Sequence, residues 1–191
     1  MRLIVAITGS SGAIYGIRLL EALRAAPKVE VHLILSKGGK LTISLETGRS
    51  VKSVAALAHE VHSDQDLAAT LASGSFKTAG MIVAPCSMKT LSGIVHSYAD
   101  NLVVRAADVV LKERRRLVLM PRETPLHLGH CRLLVQAAEL GAIIAPPIPA
   151  FYGAPKTIDD LINHSVGRVL DLFDIQSTLV NRWRGPARRR N

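Results

Sequence analysis

Residues 3–20 read LIVAITGSSGAIYGIRLL, and this stretch decides the fold. Its first five residues are apolar and rich in β-branched side chains, which is typical of a strand covered on both faces. A turn rich in glycine and serine follows, and then Ile14, Ile17 and Leu20 recur at helical spacing. The stretch therefore predicts a buried strand, a tight turn and an amphipathic helix, the first unit of an alternating α/β chain.

Similar apolar runs recur along the chain, at residues 29–35, 81–84, 117–120 and 142–145. Helical patterns separate and follow these runs, at residues 39–47, 88–95, 100–112, 127–140 and 157–172. Strands that alternate with helices form a parallel sheet with helices on both faces. We therefore expect a single-domain, three-layer α/β/α protein with an open parallel sheet.

The composition is that of a globular protein, with 48% hydrophobic and 20% charged residues in 191. The net charge is +9, but four arginines lie in the last eight residues, so the rest of the chain suits an anionic ligand as well as nucleic acid. The seven aromatic residues are too few for a base-stacking surface. No apolar run reaches membrane-spanning length, and the run at residues 3–7 is interpreted as a strand and not as a signal peptide. We expect a cytoplasmic protein with neither a nucleic-acid nor a membrane partner.

Polar residues follow the apolar runs, where an open parallel sheet binds its ligand. After the first four runs they read Gly9-Ser10-Ser11, Ser36-Lys37, Cys86-Ser87-Met88-Lys89-Thr90 and Arg122-Glu123-Thr124. Hydroxyl groups at helix N-termini suit a phosphate, although serine is also an ordinary helix cap. Serine stands where NAD-binding proteins have an acid after the second strand, which counts against NAD. The four strand ends together predict a site for a phosphate-bearing ligand.

Two further features of the chain have competing interpretations. Arg105, Asp108 and Lys112 share one face of the helix at residues 100–112, and they form either an anion site or a solvated row of ion pairs. Cys86 could be a nucleophile, but no base can be assigned to it, and a buried structural thiol is the simpler interpretation.

The last third of the chain adds three more candidates. His127 and His130 have no third ligand, so the sequence predicts no metal site there. Tyr152 follows a rigid proline-rich segment at residues 146–149 and can close a pocket. Arg168 lies beside an apolar helix stripe, where a cation can bind a phosphate or simply extend to solvent.

The chain resembles the UbiX-type flavin prenyltransferases over almost its whole length, up to about residue 173. The resemblance rests on the segments ITGSSGAIYGIRLLEAL, LILSKGGKLTISLET, PCSMKTLSGIVHSYADNLVVRAADVVLKERR, LVLMPRETPLHLGH and GAIIAPPIPAFYGAPKTIDDLINHSVGRVLD. It implies a Rossmann-like flavoprotein domain at residues 1–180, a basic tail at 181–191, FMN as cofactor, no metal, and a homododecamer. The implied reaction joins the dimethylallyl group of dimethylallyl phosphate to N5 and C6 of reduced FMN. The implied product is prenylated FMN, which serves a UbiD-type decarboxylase, often in ubiquinone synthesis.

The resemblance also assigns roles to individual residues. Those implied to contact FMN are Gly9, Ser10, Ser11, Ser36, Ser87, Met88, Lys89, Thr90 and Arg122. Those implied to bind dimethylallyl phosphate are Tyr152, Arg168, Arg105 and Lys112. The implied catalytic residues are Ser11, Glu46, Glu123 and Lys112, with Ser11 and Glu46 in proton handling, and Trp183 is implied to cover the site. Gly38 and Gly39 depart from the small helix-forming residues of the family and predict a loosely started helix.

The main alternative is an FMN-dependent cysteine decarboxylase of the same fold. Such proteins carry an early catalytic histidine and an asparagine-containing motif after the third strand. This chain has Ile14-Tyr15-Gly16 and Cys86-Ser87-Met88-Lys89 at those places, which disfavours that alternative. A non-catalytic flavin carrier would not need the conjunction of Arg105, Lys112, Glu123, Tyr152 and Arg168.

Overall fold

The computed structural model describes residues 1–180, so the basic tail and Trp183 lie outside the described residues. Six strands form one parallel sheet in the order β3-β2-β1-β4-β5-β6. The strands are β1 (Arg2–Ile7), β2 (Glu30–Leu35), β3 (Glu60–Ser63), β4 (Gly80–Cys86), β5 (Arg116–Pro121) and β6 (Ile143–Ile144). The chain moves outward from β1 to β3 and then crosses back to β4, so the topological switch point lies between β1 and β4.

Seven α-helices connect or follow these strands within residues 1–180. They are α1 (Ala13–Arg24), α2 (Lys37–Glu46), α3 (Val51–Ala55), α4 (Met88–Val95), α5 (Leu102–Lys112), α6 (Leu128–Glu139) and α7 (Ile158–Asp171), and a 3₁₀ turn spans Thr70–Ala72. None of these helices is long and apolar enough to cross a membrane.

Both faces of the sheet are buried, because successive side chains of a strand point to opposite faces. On one face Leu3, Val5 and Ile7 of β1 pack in the same cluster as the apolar sides of α1 and α7. On the other face Ile4 and Ala6 belong to the cluster that includes α4 and α5. The continuous apolar strands thus produce the predicted three-layer α/β/α architecture, and that prediction is confirmed.

The structure differs from the sequence prediction in four elements. Strand β3 and helix α3 are additional, because β3 is a short edge strand of polar sequence and α3 has only five residues. Strand β6 has only two residues, and two prolines follow two positions later. The expected loose start of α2 is wrong, because Ser36 caps the helix by accepting the Gly39 N–H at 3.0 Å.

Candidate active site

A buried threonine joins the carboxyl ends of β1 and β4. The Thr8 side chain donates a hydrogen bond to the Pro85 carbonyl at 2.7 Å and accepts the Ser87 N–H at 2.8 Å. Since Thr8 is only 1% exposed, little solvent competes with these bonds. The turn at residues 9–12 is thereby fixed against the start of α4, at the switch point of the sheet.

Helix α2 contacts the same turn at both of its ends. At its start, the backbones of Gly9 and Gly38 touch, and a Cβ placed on Gly38 would lie 2.8 Å from the Gly9 Cα. At its end, a carboxylate oxygen of Glu46 accepts the N–H groups of Gly12 at 2.8 Å and Ala13 at 3.3 Å. Gly12 adopts a left-handed backbone with φ of 101° and offers no side-chain cap, so Glu46 caps α1 instead. The carboxylate also faces the positive end of the helix dipole.

The predicted hydroxyl groups lie at the starts of α2 and α4. Ser36 caps α2, and Ser87 caps α4 by accepting the Thr90 N–H at 3.2 Å. The Ser87 hydroxyl also donates to the Thr90 hydroxyl at 3.0 Å, which leaves the Thr90 proton available to a ligand. Both serines are therefore helix caps, because their hydroxyl oxygens accept a backbone N–H of the helix that follows. This position also places the hydroxyl groups beside the free N–H groups of the first helical turn.

An open cleft of about 830 Å³ lies against this edge of the sheet. Five of the residues implied to bind FMN line it, namely Gly9, Ser36, Ser87, Lys89 and Thr90. Asp64, Gln65, Tyr98 and Asn101 also line it, and the sequence interpretation did not single them out. Asp64 ends up there because it directly follows β3, the strand that the apolar pattern did not reveal.

Ser10, Ser11 and Met88 lie beside the cleft residues in sequence and not among its lining. The Ser10 hydroxyl oxygen is buried and has no hydrogen-bond partner among residues 1–180. A buried hydroxyl without a partner is costly unless a ligand or water satisfies it. Ser11, by contrast, is exposed on the turn, and Met88 is the first residue of α4.

Arg122 follows β5 and faces the first helix. Its backbone N–H is bonded to the Cys86 carbonyl at 3.2 Å, which fixes the end of β5 beside β4. Burial raises the pKa of Tyr15, and the nearby positive charge of Arg122 opposes that increase. The interaction places Arg122 near Tyr15 in the first turn of α1. Glu123 is exposed and accepts the N–H of Thr124 at 3.0 Å.

Tyr152 and Arg168 form a second group, near α7. The Tyr152 hydroxyl lies 2.6 Å from Nε2 of His164, and Arg168 forms an ion pair with Asp171 at 2.8 Å. Arg168 and His164 line a smaller hollow of about 240 Å³ beneath β5 and β6. Two of the four residues assigned to the prenyl donor, Tyr152 and Arg168, thus both lie beside His164, and neither is part of the lining of the larger cleft.

Arg105 and Lys112 lie elsewhere within the chain. Arg105 pairs with Asp108 at 2.8 Å and donates to the Ala72 carbonyl at 3.2 Å, while Lys112 pairs with Glu113 at 2.8 Å. Since α5 runs back toward the start of β5, its last residue Lys112 lies at the amino edge of the sheet. Helix α5, which carries both cations, also packs on the face of the sheet opposite to α7, which carries Arg168. The assigned roles of Arg105 and Lys112 therefore stay predictions that require a second subunit.

Two residues that the sequence left open have structural roles. Cys86 is fully buried, and burial raises the pKa of its thiol to about 12, which leaves it protonated and unreactive at neutral pH. His127 caps α6 by accepting the His130 N–H at 3.3 Å.

The cleft suits the phosphate group of FMN on four counts. Helices α2 and α4 start there, hydroxyl groups stand at both starts, Lys89 supplies a positive charge, and Ser10 has an unsatisfied hydroxyl nearby. The volume is also in the usual range of about 300–1,000 Å³ for small-molecule sites. Fold and site together define an α/β protein that binds a phosphate-bearing nucleotide at the switch point of its sheet.

Comparisons with known proteins agree with this class. The profile of the flavoprotein family matches residues 1–170. Flavin prenyltransferase UbiX of Salmonella typhimurium is 60% identical over 186 residues, covering 96% of this chain and 98% of the relative. The chain belongs to the flavoprotein family and, within it, to the UbiX flavin prenyltransferases.

Solved structures give the same result. A dodecameric FMN-dependent UbiX-like decarboxylase from Escherichia coli O157:H7 is 55% identical, with a TM-score of 0.95 and coverage of 97% of this chain and 100% of that one. AnUbiX, solved with FMN and dimethylallyl pyrophosphate, is 52% identical, with a TM-score of 0.94 and coverage of 96% and 97%. The cysteine decarboxylase TvaF is only 17% identical, with a TM-score of 0.62 and coverage of 77% of this chain and 90% of that one, and that likeness shows the fold alone.

Proposed function

We propose that this protein transfers the dimethylallyl group of dimethylallyl phosphate to reduced FMN. The observation that carries the proposal is the 60% identity to a UbiX flavin prenyltransferase over 96% of the chain. The geometry supports it, because the switch-point cleft offers hydroxyl groups and helix N-termini to a phosphate. When bound in its reduced form, FMN supplies the nucleophilic N5 and C6 atoms that accept the prenyl group.

The residues of the cleft bind the cofactor in this proposal. Ser87, Thr90 and Lys89 hold the FMN phosphate at the start of α4, where a hydroxyl proton of Thr90 remains available. Arg122 adds a planar cation beside the first helix. Thr8 keeps the two contributing segments in a fixed relation through its bonds to Pro85 and Ser87.

The second group binds the prenyl donor. Tyr152 and Arg168 hold the donor phosphate, which leaves as inorganic phosphate when the bond between C1 and the phosphate oxygen breaks. The ring of Tyr152 also stabilises the positive charge that develops on the allyl group. Glu123 and Ser11 are exposed near the strand ends, where they can move protons to and from the reacting groups. Glu46 holds the turn that carries Ser11 through its bonds to Gly12 and Ala13.

We also propose that the chain assembles into a homo-oligomer, a dodecamer like its UbiX-like relative. Helices α2 and α6 expose large apolar side chains, including Leu45 at 74% and Leu128 at 64%. Assembly would bury these side chains, and it would let Arg105 and Lys112 of one subunit reach the donor site of another. The product then passes to a UbiD-type decarboxylase in the cytoplasm.

A single reaction tests the proposed activity. The protein is incubated without oxygen with reduced FMN and dimethylallyl phosphate, and the released flavin is analysed by mass spectrometry. We expect a mass increase of one C5H8 unit, and a parallel reaction with the diphosphate identifies the preferred donor. Oxidised FMN and omission of the donor serve as controls. Unmodified flavin with both donors would contradict the proposal.

A charged substitution on an exposed apolar helix tests the shared site. Leu45→Glu should lower the sedimentation coefficient and, with it, prenyl transfer, because the donor site then lacks the cations of a neighbour. Ser44→Glu is the matched control, since it adds the same charge to α2 at a position that is already polar and exposed. We expect the control to keep its assembly and its activity. A monomer with full activity would refute the shared site and leave FMN binding intact.

A further inference from the structure

Two histidines and two glutamates cluster between β2 and β3, away from the cleft. His32 lies on β2 directly opposite Glu60 of β3, and His62 lies two residues farther along β3. Glu30 precedes His32 by two residues on the same face of the strand. The ring of Phe76 packs edge-on against His32, with ring centroids 5.2 Å apart. The cluster therefore combines buried imidazole rings with carboxylates at the edge of the sheet.

The inward-facing atoms of this cluster are close to one another. Nδ1 of His32 lies 3.0 Å from Nε2 of His62 and 3.4 Å from a Glu60 carboxylate oxygen. Nε2 of His62 lies 3.5 Å from the other oxygen of Glu60. The His32 and His62 side chains are only 1% and 7% exposed, whereas Glu60 is 55% exposed. The three side chains thus converge at one point, which is buried on the side of the two histidines and accessible to solvent on the side of Glu60.

The contacts among these side chains are compatible with the neutral imidazoles that a metal ion requires as ligands. A neutral imidazole carries one N–H, and with that proton on Nε2 of His32 the ring donates to Glu30 at 3.1 Å. Nδ1 of His32 then presents a lone pair, and at most one proton, from His62, remains to be shared with it. The Glu60 carboxylate contributes further lone pairs and a negative charge at the same point. This arrangement is electrostatically suited to a positive ion.

The spacing also fits a metal. Ligands held tetrahedrally at about 2.0–2.1 Å from zinc lie about 3.3–3.4 Å apart. The two nitrogens lie 3.0 Å apart, and each lies 3.4–3.5 Å from one of the two oxygens of Glu60. One ligand atom from each of the three residues can be chosen so that all three lie within 4.8 Å of one another. The Glu30 carboxylate contacts Nε2, the second ring nitrogen of His32. Such an outer-shell partner fixes the orientation of an imidazole that binds a metal.

We propose that His32, His62 and Glu60 bind one divalent transition-metal ion of the zinc class, with water as the fourth ligand on the exposed side. His32 is four residues before Ser36, or about 13 Å along β2 from the cleft, and His62 is two residues before Asp64, or about 7 Å along β3. The ion lies outside the prenyl-transfer site and joins the edge strand β3 to β2. Imidazole and carboxylate ligands favour zinc over calcium or magnesium, which prefer oxygen alone.

Zinc binding to the tag-free, metal-stripped full chain tests this site. We expect one Zn²⁺ per chain by calorimetry, a visible absorption band of tetrahedral Co²⁺, and a higher melting temperature with Zn²⁺. Glu60→Gln and His62→Gln should each weaken Zn²⁺ binding at least tenfold and abolish the cobalt band. His130→Gln is the matched control, because His127 and His130 form the other close histidine pair within residues 1–180, with ring centroids 3.6 Å apart.

The outcomes separate a metal site from a hydrogen-bonded cluster. Retention of FMN shows that each variant is folded, and Glu60→Gln is the safer variant because its side chain is exposed. Failure of the wild-type chain to bind Zn²⁺ or Co²⁺ would overturn the proposal, as would equal binding by Glu60→Gln. Loss of binding in His130→Gln alone would also overturn it, by placing the ion at the other pair.

Discussion

Replacement of Glu46 separates its capping role from a role in proton handling. The carboxylate accepts two backbone N–H groups at the start of α1, at 2.8 and 3.3 Å, and Gly12 supplies no alternative cap. Loss of a helix cap costs about 0.5–2 kcal/mol, and because Glu46 is exposed we expect Glu46→Ala to cost about 1 kcal/mol. For a domain of this size that is a decrease of about 2–4 °C in melting temperature.

The assay is thermal unfolding combined with prenyl transfer, with Glu46→Gln as the second variant. Glutamine keeps an acceptor oxygen and loses only the interaction of the charge with the helix dipole, about 0.3–1 kcal/mol. We expect Glu46→Gln to recover part of the stability that Glu46→Ala loses. If Glu46 handles protons, Glu46→Gln stays stable but transfers slowly. An unchanged melting temperature for Glu46→Ala would refute the capping argument.

Three further predictions concern the two ligands and the buried thiol. Arg122→Ala should weaken FMN binding about 10- to 150-fold in a fluorescence titration, since a charge-assisted hydrogen bond contributes about 1.5–3 kcal/mol; an equal effect of Arg116→Ala, at the opposite end of β5, would contradict a local contact. Tyr152→Phe and Arg168→Ala should retain FMN yet slow prenyl transfer, and loss of FMN from either would refute the separation of the two groups. Because the pKa of Cys86 is raised to about 12 from 9.0, folding favours its protonated form, so stability is full below pH 9 and declines as the pH rises above it. Iodoacetamide should therefore label Cys86 only after denaturation, whereas the exposed Cys131 is open to labelling in the folded chain. Rapid labelling of the Cys86 peptide in the folded chain, measured by mass spectrometry, would contradict its burial.

The sheet could be predicted largely from sequence because its central strands are buried on both faces. Continuous apolar runs mark β1, β2, β4 and β5. Strand β3 gave no such signal, because an edge strand reading EVHS pairs on one side only and exposes most of its residues. The secondary structure of such peripheral elements depends more on tertiary contacts than on the hydropathy pattern of their own residues.

The site residues that directly follow a strand could be predicted from sequence. The positions of those that lie on a helix, away from a strand end, could not. Ser36 and Ser87 follow parallel strands and therefore meet at one edge. Arg105 and Lys112 share a helix face, but their spacing does not show at which edge of the sheet each residue lies. Asp64 was missed together with its strand, and the contact of Glu46 with Gly12 joins segments 34 residues apart.

The contacts between α2 and the turn at residues 9–12 have a consequence for ligand binding. Gly38 contacts Gly9 at one end of the turn, and Glu46 holds Gly12 at the other. Ordering one residue of a free loop costs about 1–2 kcal/mol, so a flexible four-residue turn would subtract about 4–8 kcal/mol from the affinity for a phosphate. Here that conformational entropy is lost during folding, before any ligand arrives. The chain therefore presents a preorganised receptor, in which ligand association requires no loop closure.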